Sequence, residues 1–109
     1  MEDCLFCKFA NHSVPKVFNY EDDDIMVFAD IHPIKPTHLL IVPKKHINSF
    51  SHLEDDVILG KVRKVIQDMV KQNDLEGKGY RIVINAGGAQ AIDHLHFHLT
   101  GPWGLAADW

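Results

Sequence analysis

Residues 94–100 read HLHFHLT, and this strict alternation of histidine-bearing and apolar positions predicts a β-strand. Alternate residues of a strand share a face, so His94, His96 and His98 should line one side, with the three apolar side chains between and after them facing the core. Three imidazoles in a row are costly to bury unless each ring nitrogen has a partner. The stretch therefore indicates a functional site rather than a solvated strand face.

Two chemistries fit such a row of histidines. Two imidazoles at i and i+2 chelate a metal, but three in line need ligands from elsewhere, and residues 99–109 lack the glutamate that a cupin-type site would use. The other chemistry is phosphoryl or nucleotidyl transfer, in which a neutral imidazole attacks phosphorus and a neighbouring imidazole binds the phosphate oxygens. Gly87-Gly88, in the preceding loop, could supply backbone N–H groups for an anion.

The composition of the 109-residue chain is that of one ordinary globular domain, which we expect to span residues 1–109. Hydrophobic residues make up 46% and charged residues 24%, and the formal net charge of −4 argues against a nucleic-acid or polybasic membrane surface. No run approaches the roughly 18–20 apolar residues of a membrane span. The N-terminus, MEDCLFCKF, does not resemble a secretory signal, so we expect a cytoplasmic protein.

The two cysteines, Cys4 and Cys7, form a C-x-x-C motif. In a reducing compartment this motif is half of a zinc site, a redox pair, or two unrelated small apolar residues. A thioredoxin-like pair should follow a strand, and nothing precedes this one. Zinc needs two further ligands, and the chain has eight histidines to offer.

Hydrophobic periodicity predicts two helices and five strands joined mostly by short turns, and hence an α+β fold with an antiparallel sheet and both helices on one face. Asp3 is expected to cap a helix over 4–11, and the capping box Ser51-x-x-Glu54 is expected to start a long helix over about 52–73. The predicted strands are 16–20, 25–29, 38–42, 80–85 and 94–100.

Residues 90–99, QAIDHLHFHL, resemble the Q-x-x-x-H-φ-H-φ-H-φ signature of the histidine triad (HIT) superfamily. The resemblance extends over nearly the full chain: FCKFANHSVPKVFNYED (6–22) looks like the family's N-terminal helix and first hairpin, and VFADIHPIKPTHLLIVPKKHI (27–47) like its central block. RIVIN (81–85) looks like its penultimate strand. The resemblance implies a five-stranded antiparallel sheet with two helices, and a homodimer with a continuous ten-stranded sheet.

The chain is more similar to the nucleotide-binding phosphoramidase branch than to the dinucleotide-hydrolase or uridylyltransferase branches. The resemblance implies that His96 attacks the α-phosphate of a purine nucleoside phosphoramidate or related nucleotide. Water would then release the nucleoside monophosphate from a covalent nucleotidyl-histidine. His98 would bind the phosphate and orient or relay protons, and His38 would complete the proton network.

The same resemblance implies the nucleotide-binding residues. Asn85 and the backbone at Gln90 and Ala91 would hold the phosphate, and Asp30 would bind the ribose hydroxyls. The expected base pocket consists of Phe9, Val14, Phe28 and Ile31. Relatives often carry serine or threonine where this chain has Ala91, and the loop from residue 85 to 94 looks shorter than usual. Both departures could lower the rate or shift the leaving-group preference.

Some relatives with C-x-x-C at this position bind structural zinc, and the implied ligands are Cys4, Cys7, His46 and His94, with no organic cofactor. The remaining histidines, His12, His32 and His52, are expected at the surface, His32 near the ribose site. The aromatic tail, with Trp103 and Trp109, would either reach the partner's active site or pack on its own subunit.

Three other functions remain open from the residues. The chain could be a non-catalytic nucleotide-binding adaptor, since Ala91 and the short loop would suit lost chemistry. It could be a dinucleoside polyphosphate hydrolase. A histidine-rich metal-handling protein is the third, and tight binding of several ions without nucleotide affinity would distinguish it.

Overall fold

The described part of the chain, residues 3–105 of a computed structural model, folds as one five-stranded antiparallel sheet with two α-helices. The predicted α+β class and antiparallel sheet are therefore confirmed. The strand order is β1-β2-β3-β5-β4. The elements are α1 (Leu5–Ala10), β1 (Tyr20–Glu21), β2 (Ile25–Ala29), β3 (Thr37–Pro43), a 3₁₀ turn (Phe50–His52), α2 (Asp56–Gln72), β4 (Arg81–Val83) and β5 (Phe97–Gly101).

The two helices pack on opposite faces of the sheet, so the expectation that both lie on one face is wrong. Ile25 and Val27 of β2 join the core formed with α2, whereas Met26 and Phe28 join a second core with α1. β2 and β3 are buried almost throughout, because their side chains are apolar on both faces. A strand that is apolar on both sides needs a cover on each face, and the short α1 supplies the second one.

The long helix begins later than its sequence signal indicated. Asp55, not Ser51, is the N-cap of α2, because its carboxylate accepts the N–H groups of Val57 and Ile58 at 2.9 and 3.1 Å. The Ser51 hydroxyl instead pairs with that of Ser49 in the 3₁₀ turn. At the other helix, Cys4 rather than Asp3 is the N-cap, and its sulfur accepts the N–H of Cys7.

Three predicted strands are shorter or displaced. The first is Tyr20–Glu21 rather than 16–20, and the fourth is Arg81–Val83 rather than 80–85. β5 begins at Phe97 because the pairing of β3 with β5 ends at Ile41 opposite Phe97. The alternation still continues upstream of β5, since Leu95 packs in the α2 core.

Among the described residues, no helix is long and apolar enough to cross a bilayer.

Candidate active site and metal cluster

The histidine row lies on the α1 side of the sheet. Phe6 of α1 packs edge-on against His94 and His96, with ring centroids 5.8 and 5.2 Å apart, and the His96 and His98 rings lie 5.0 Å apart. His98 stands opposite Leu40 of β3, two residues from His38, which brings the His38 and His98 rings to 5.2 Å. The predicted shared face is therefore present, although only His98 belongs to the paired part of the strand.

Hydrogen bonds fix the tautomers of the His38–His98 pair. The backbone N–H of Ile34 donates to His38 Nδ1 at 3.2 Å. A backbone amide can only donate, so neutral His38 carries its proton on Nε2 and donates it to His98 Nδ1 at 2.9 Å. His98 consequently carries its own proton on Nε2. Asp30 lies beside this pair, with its Oδ2 at 3.5 Å from His38 Nε2.

His96 is the opposite tautomer to His38 and His98, with its proton on Nδ1 instead of Nε2. Its Nδ1 lies 2.7 Å from the main-chain carbonyl oxygen of His94, and a carbonyl can only accept. His96 Nδ1 therefore carries the proton, and Nε2 carries a lone pair, which is the atom that a nucleophilic imidazole uses. His96 is 95% buried, so this orientation is held by packing as well as by the hydrogen bond.

Burial lowers the pKa of His98 below its ordinary value, and the positive charge that His96 and His38 can carry lowers it further, while Asp30 raises it. The described arrangement therefore favours neutral His98 at neutral pH. Its Nε2–H then serves as a hydrogen-bond donor.

His96 and His98 line a cavity of about 330 Å³ between α1 and the sheet. Most of the expected nucleotide-binding residues line it: Phe9, Phe28, Asp30, Ile31, Asn85 and Ala91. The Asp30 carboxylate is oriented there by accepting the backbone N–H of His32 at 2.8 Å. Phe9 and Phe28 are buried, whereas Ile31 is 76% exposed.

Two of the expected residues are not among those that line the cavity. Val14 packs against the α1-side core. The Gln90 side chain accepts the N–H of Gly88 and donates to the carbonyl of Asn48, so it braces the glycine loop. Gly87 and Gly88 both have positive φ, which a glycine adopts without strain.

Sequence reasoning missed several residues that the structure adds to the cavity. Leu5, Phe6 and Ile92 contribute apolar surface, and Lys16 contributes a positive charge. Phe6 could have been found, because it stands three positions before Phe9 on the same short helix. Lys16 had no such signal, since its place at the cavity depends on how the segment after α1 crosses the sheet.

The four predicted metal ligands converge. The donor atoms of Cys4, Cys7, His46 and His94 all lie within 4.8 Å of one another. The closest pairs are Cys7 Sγ and His46 Nδ1 at 3.1 Å, and Cys4 Sγ and His94 Nδ1 at 3.3 Å. Two thiols and two imidazoles are the usual donor set of a closed tetrahedral zinc site. These residues could therefore hold a metal ion.

The surroundings orient both imidazoles for this role. His94 Nε2 donates to the Pro43 carbonyl and His46 Nε2 to the Asn48 side-chain oxygen, both at 2.7 Å, which leaves each Nδ1 as the acceptor that faces the thiols. Burial lowers the pKa of His94 to about 4, so its ring is neutral and able to ligate. Burial and the neighbouring Cys4 raise the pKa of Cys7 to about 11, and a bound cation would oppose this by favouring the thiolate.

The remaining histidines are exposed, as expected. His12 contacts the Glu21 carboxylate at 2.6 Å, and His52 lies in the 3₁₀ turn instead of the first turn of α2, next to the Ser49 hydroxyl. Trp103 packs on its own chain: its indole N–H donates to Thr100. Trp109 lies outside the described residues.

The chain is similar to known proteins over most of its length. Residues 11–103 match the HIT domain. The chain is 38% identical over 105 residues to Protein HitA of Neisseria gonorrhoeae, covering 93% of this chain and 97% of that protein.

Solved structures give the same family. A HIT family hydrolase from Legionella pneumophila Philadelphia 1 superimposes with a TM-score of 0.85 at 41% identity, covering 91% of this chain and 92% of that one. A histidine triad nucleotide-binding protein from Candida albicans superimposes with a TM-score of 0.83 at 31% identity, covering 98% and 82%. The chain belongs to the HIT family.

Proposed function

We propose that this protein hydrolyses purine nucleoside phosphoramidates or related nucleotidyl compounds to the nucleoside monophosphate, through a covalent intermediate on His96. The observation that carries the proposal is the pair of fixed tautomers. His96 has a lone pair on Nε2 and His98 a proton on Nε2, and both residues line the same cavity with their rings 5.0 Å apart. A nucleophile beside a donor is the arrangement that displacement at phosphorus requires.

In the proposed first step, His96 Nε2 bonds to the α-phosphorus as the bond to the leaving amine breaks. The neutral His98 donates its Nε2–H to a phosphate oxygen, and the departing amine takes its proton from solvent water, so the His38–His98 pair stays neutral. In the second step, water attacks phosphorus and releases a proton to solvent while the phosphorus–Nε2 bond breaks.

The rest of the cavity suits the remainder of the substrate. The Asp30 carboxylate is an acceptor for ribose hydroxyls, and the phenylalanine-rich end is apolar enough for a base. Asn85 and the Ala91 backbone lie near the phosphate end in this proposal. The Legionella relative is named a hydrolase and the Candida relative nucleotide-binding, which supports both parts of the proposal.

The test is release of AMP from adenosine phosphoramidate by the wild-type protein and by His96→Gln. We expect kcat of the variant to fall at least about a thousandfold while its affinity for AMP is retained, because the substitution removes the nucleophile and leaves the base pocket intact. His52→Ala, at an exposed histidine away from the cavity, is the control. Full activity of His96→Gln would refute the assigned nucleophile.

One observation favours a second candidate, a nucleotide-binding adaptor without turnover. Ala91 lines the cavity and brings no hydroxyl to the phosphate end. In that case the wild type would bind AMP but release none from any member of a panel of phosphoramidates, dinucleoside polyphosphates and sugar nucleotides. Preferential cleavage of the dinucleoside compounds would instead indicate a dinucleoside polyphosphate hydrolase.

We also propose a homodimer joined through β4. This strand is a sheet edge, Ile82 and Val83 are 47% and 42% exposed, and Ile82 lines a mostly apolar groove against α2. Unpaired backbone groups and apolar side chains on an edge are suited to pairing with a second copy. Ile82→Lys should give a monomer in light scattering, whereas Val57→Lys, at an exposed position of α2, should not.

The Cys₂His₂ cluster is proposed as a structural zinc site, and a single HIT domain over residues 1–109 in the cytoplasm is the proposed setting. Reducing conditions there would keep Cys4 and Cys7 available as ligands.

A further inference from the structure

The base end of the cavity carries a positive charge. Lys16 lines the cavity, and its Nζ lies 5.2 Å from the centroid of Phe9 and 5.0 Å from that of Phe28. An ammonium at this distance from two ring faces is held by cation–π attraction. The pocket is therefore not the uniformly apolar slot that would accept any purine.

Lys16 lies away from the phosphate end. His96 touches Phe6, whose ring centroid lies 6.1 Å from that of Phe9 and 5.4 Å from that of Phe28. Phe28, one of the two rings beneath Lys16, pairs with Leu40 of β3, and Leu40 pairs with His98, so one strand separates this ring from His98. A nucleotide with its phosphate at His96 would thus place its base, not its phosphate, near the ammonium.

The ammonium is also available for a ligand. Within residues 3–105, Lys16 makes no ion pair within 4.0 Å, and Asp30 is the one carboxylate that lines the cavity. Lysine donates hydrogen bonds and accepts none. Guanine and hypoxanthine present two acceptors on one edge, O6 and N7, whereas adenine replaces O6 by an amino donor.

We propose that Lys16 is a specificity-determining residue that makes the site prefer 6-oxopurine nucleotides over adenine nucleotides. The inference rests on the proposed nucleotide-binding function and names its base preference. Because the site is partly open to water, we expect a three- to tenfold preference, which corresponds to about 0.7–1.4 kcal/mol.

The experiment measures dissociation constants of GMP, IMP and AMP by calorimetry for the wild type, Lys16→Met and Lys45→Met. Methionine keeps most of the aliphatic length of lysine and removes the charge, and Lys45 is an exposed lysine that does not line this cavity. We expect GMP and IMP to bind more tightly than AMP. This preference should disappear in Lys16→Met and persist in Lys45→Met.

Each other outcome overturns the inference in a distinguishable way. Equal binding of the three nucleotides, unchanged in Lys16→Met, refutes the base preference but leaves the proposed function standing. An equal loss of affinity for all three in Lys16→Met would mean that the charge acts on the phosphate. If the wild type binds none of them, the proposed function fails as well. The ratio of kcat/KM for guanosine and adenosine phosphoramidates gives a second readout of the same preference.

Discussion

Loss of one thiol ligand from the Cys₂His₂ cluster should cost about 4 kcal/mol of folding stability. A bound ion would connect Cys7 to His46, which are 39 positions apart, and a cross-link closing a loop of that size removes about 4 kcal/mol of unfolded-chain entropy. The six-residue α1 is too short to persist without such support. At roughly 4–8 °C per kcal/mol for a domain of this size, Tm should fall by about 16–32 °C.

The assay compares thermal unfolding of the wild type and Cys4→Ser in zinc-containing buffer, together with elemental analysis. Serine keeps an oxygen that can accept the Cys7 N–H, so the N-cap of α1 is preserved while the soft metal ligand is lost. We expect about one zinc per wild-type chain and much less in the variant. The exposed His12→Ala serves as the control, because His12 lies outside the cluster.

Two results would refute this reasoning separately. Folded wild-type protein without zinc would remove the metal from the account. Stoichiometric zinc combined with a Tm that moves by less than about 2 °C in Cys4→Ser or after chelation would leave the metal in place and refute the cross-link argument.

Three further predictions concern the fold and the site. Asp55→Ala should lower the free energy of unfolding in urea by about 1 kcal/mol, because Asp55 caps α2. Ser51→Ala should change it by less than about 0.5 kcal/mol, because Ser51 does not cap the helix. Equal losses in the two variants would contradict this assignment. Gly79→Ala should lower the free energy of unfolding by about 1–3 kcal/mol, because Gly79 has a φ of +81° and a Cβ there would overlap the Gly104 carbonyl. A more stable variant would refute this reasoning. Burial and nearby His96 lower the pKa of His98, so the unfolded chain binds more protons and stability should fall as pH drops below about 6.5. His98→Gln should show a shallower fall between pH 7.5 and 5.5, and identical slopes would exclude this contribution.

The hydrophobic pattern predicted which side chains share a face better than it predicted where elements end. The alternation in 94–100 correctly separated the histidines from the residues of the α2 core, because successive side chains of an extended chain point to opposite faces. The start of β5 at Phe97 depends on where β3 offers a partner, which is information from another segment. Likewise, Ser51-x-x-Glu54 has the sequence of a capping box, yet the N-cap of α2 is Asp55.

The sequence by itself determined the antiparallel α+β fold, because hydrophobic periodicity is a local property of the chain. It also carries the motifs of the HIT family, and the resemblance to that family implied the four residues that meet as a metal cluster. Only the tertiary structure decided that α1 covers the face opposite α2 and that Lys16 reaches the cavity. It also decided the tautomers. The proton positions on His38 and His96 are set by Ile34 N–H and the His94 carbonyl, and a hydrogen bond can direct an imidazole proton only once folding has fixed which group faces each ring nitrogen.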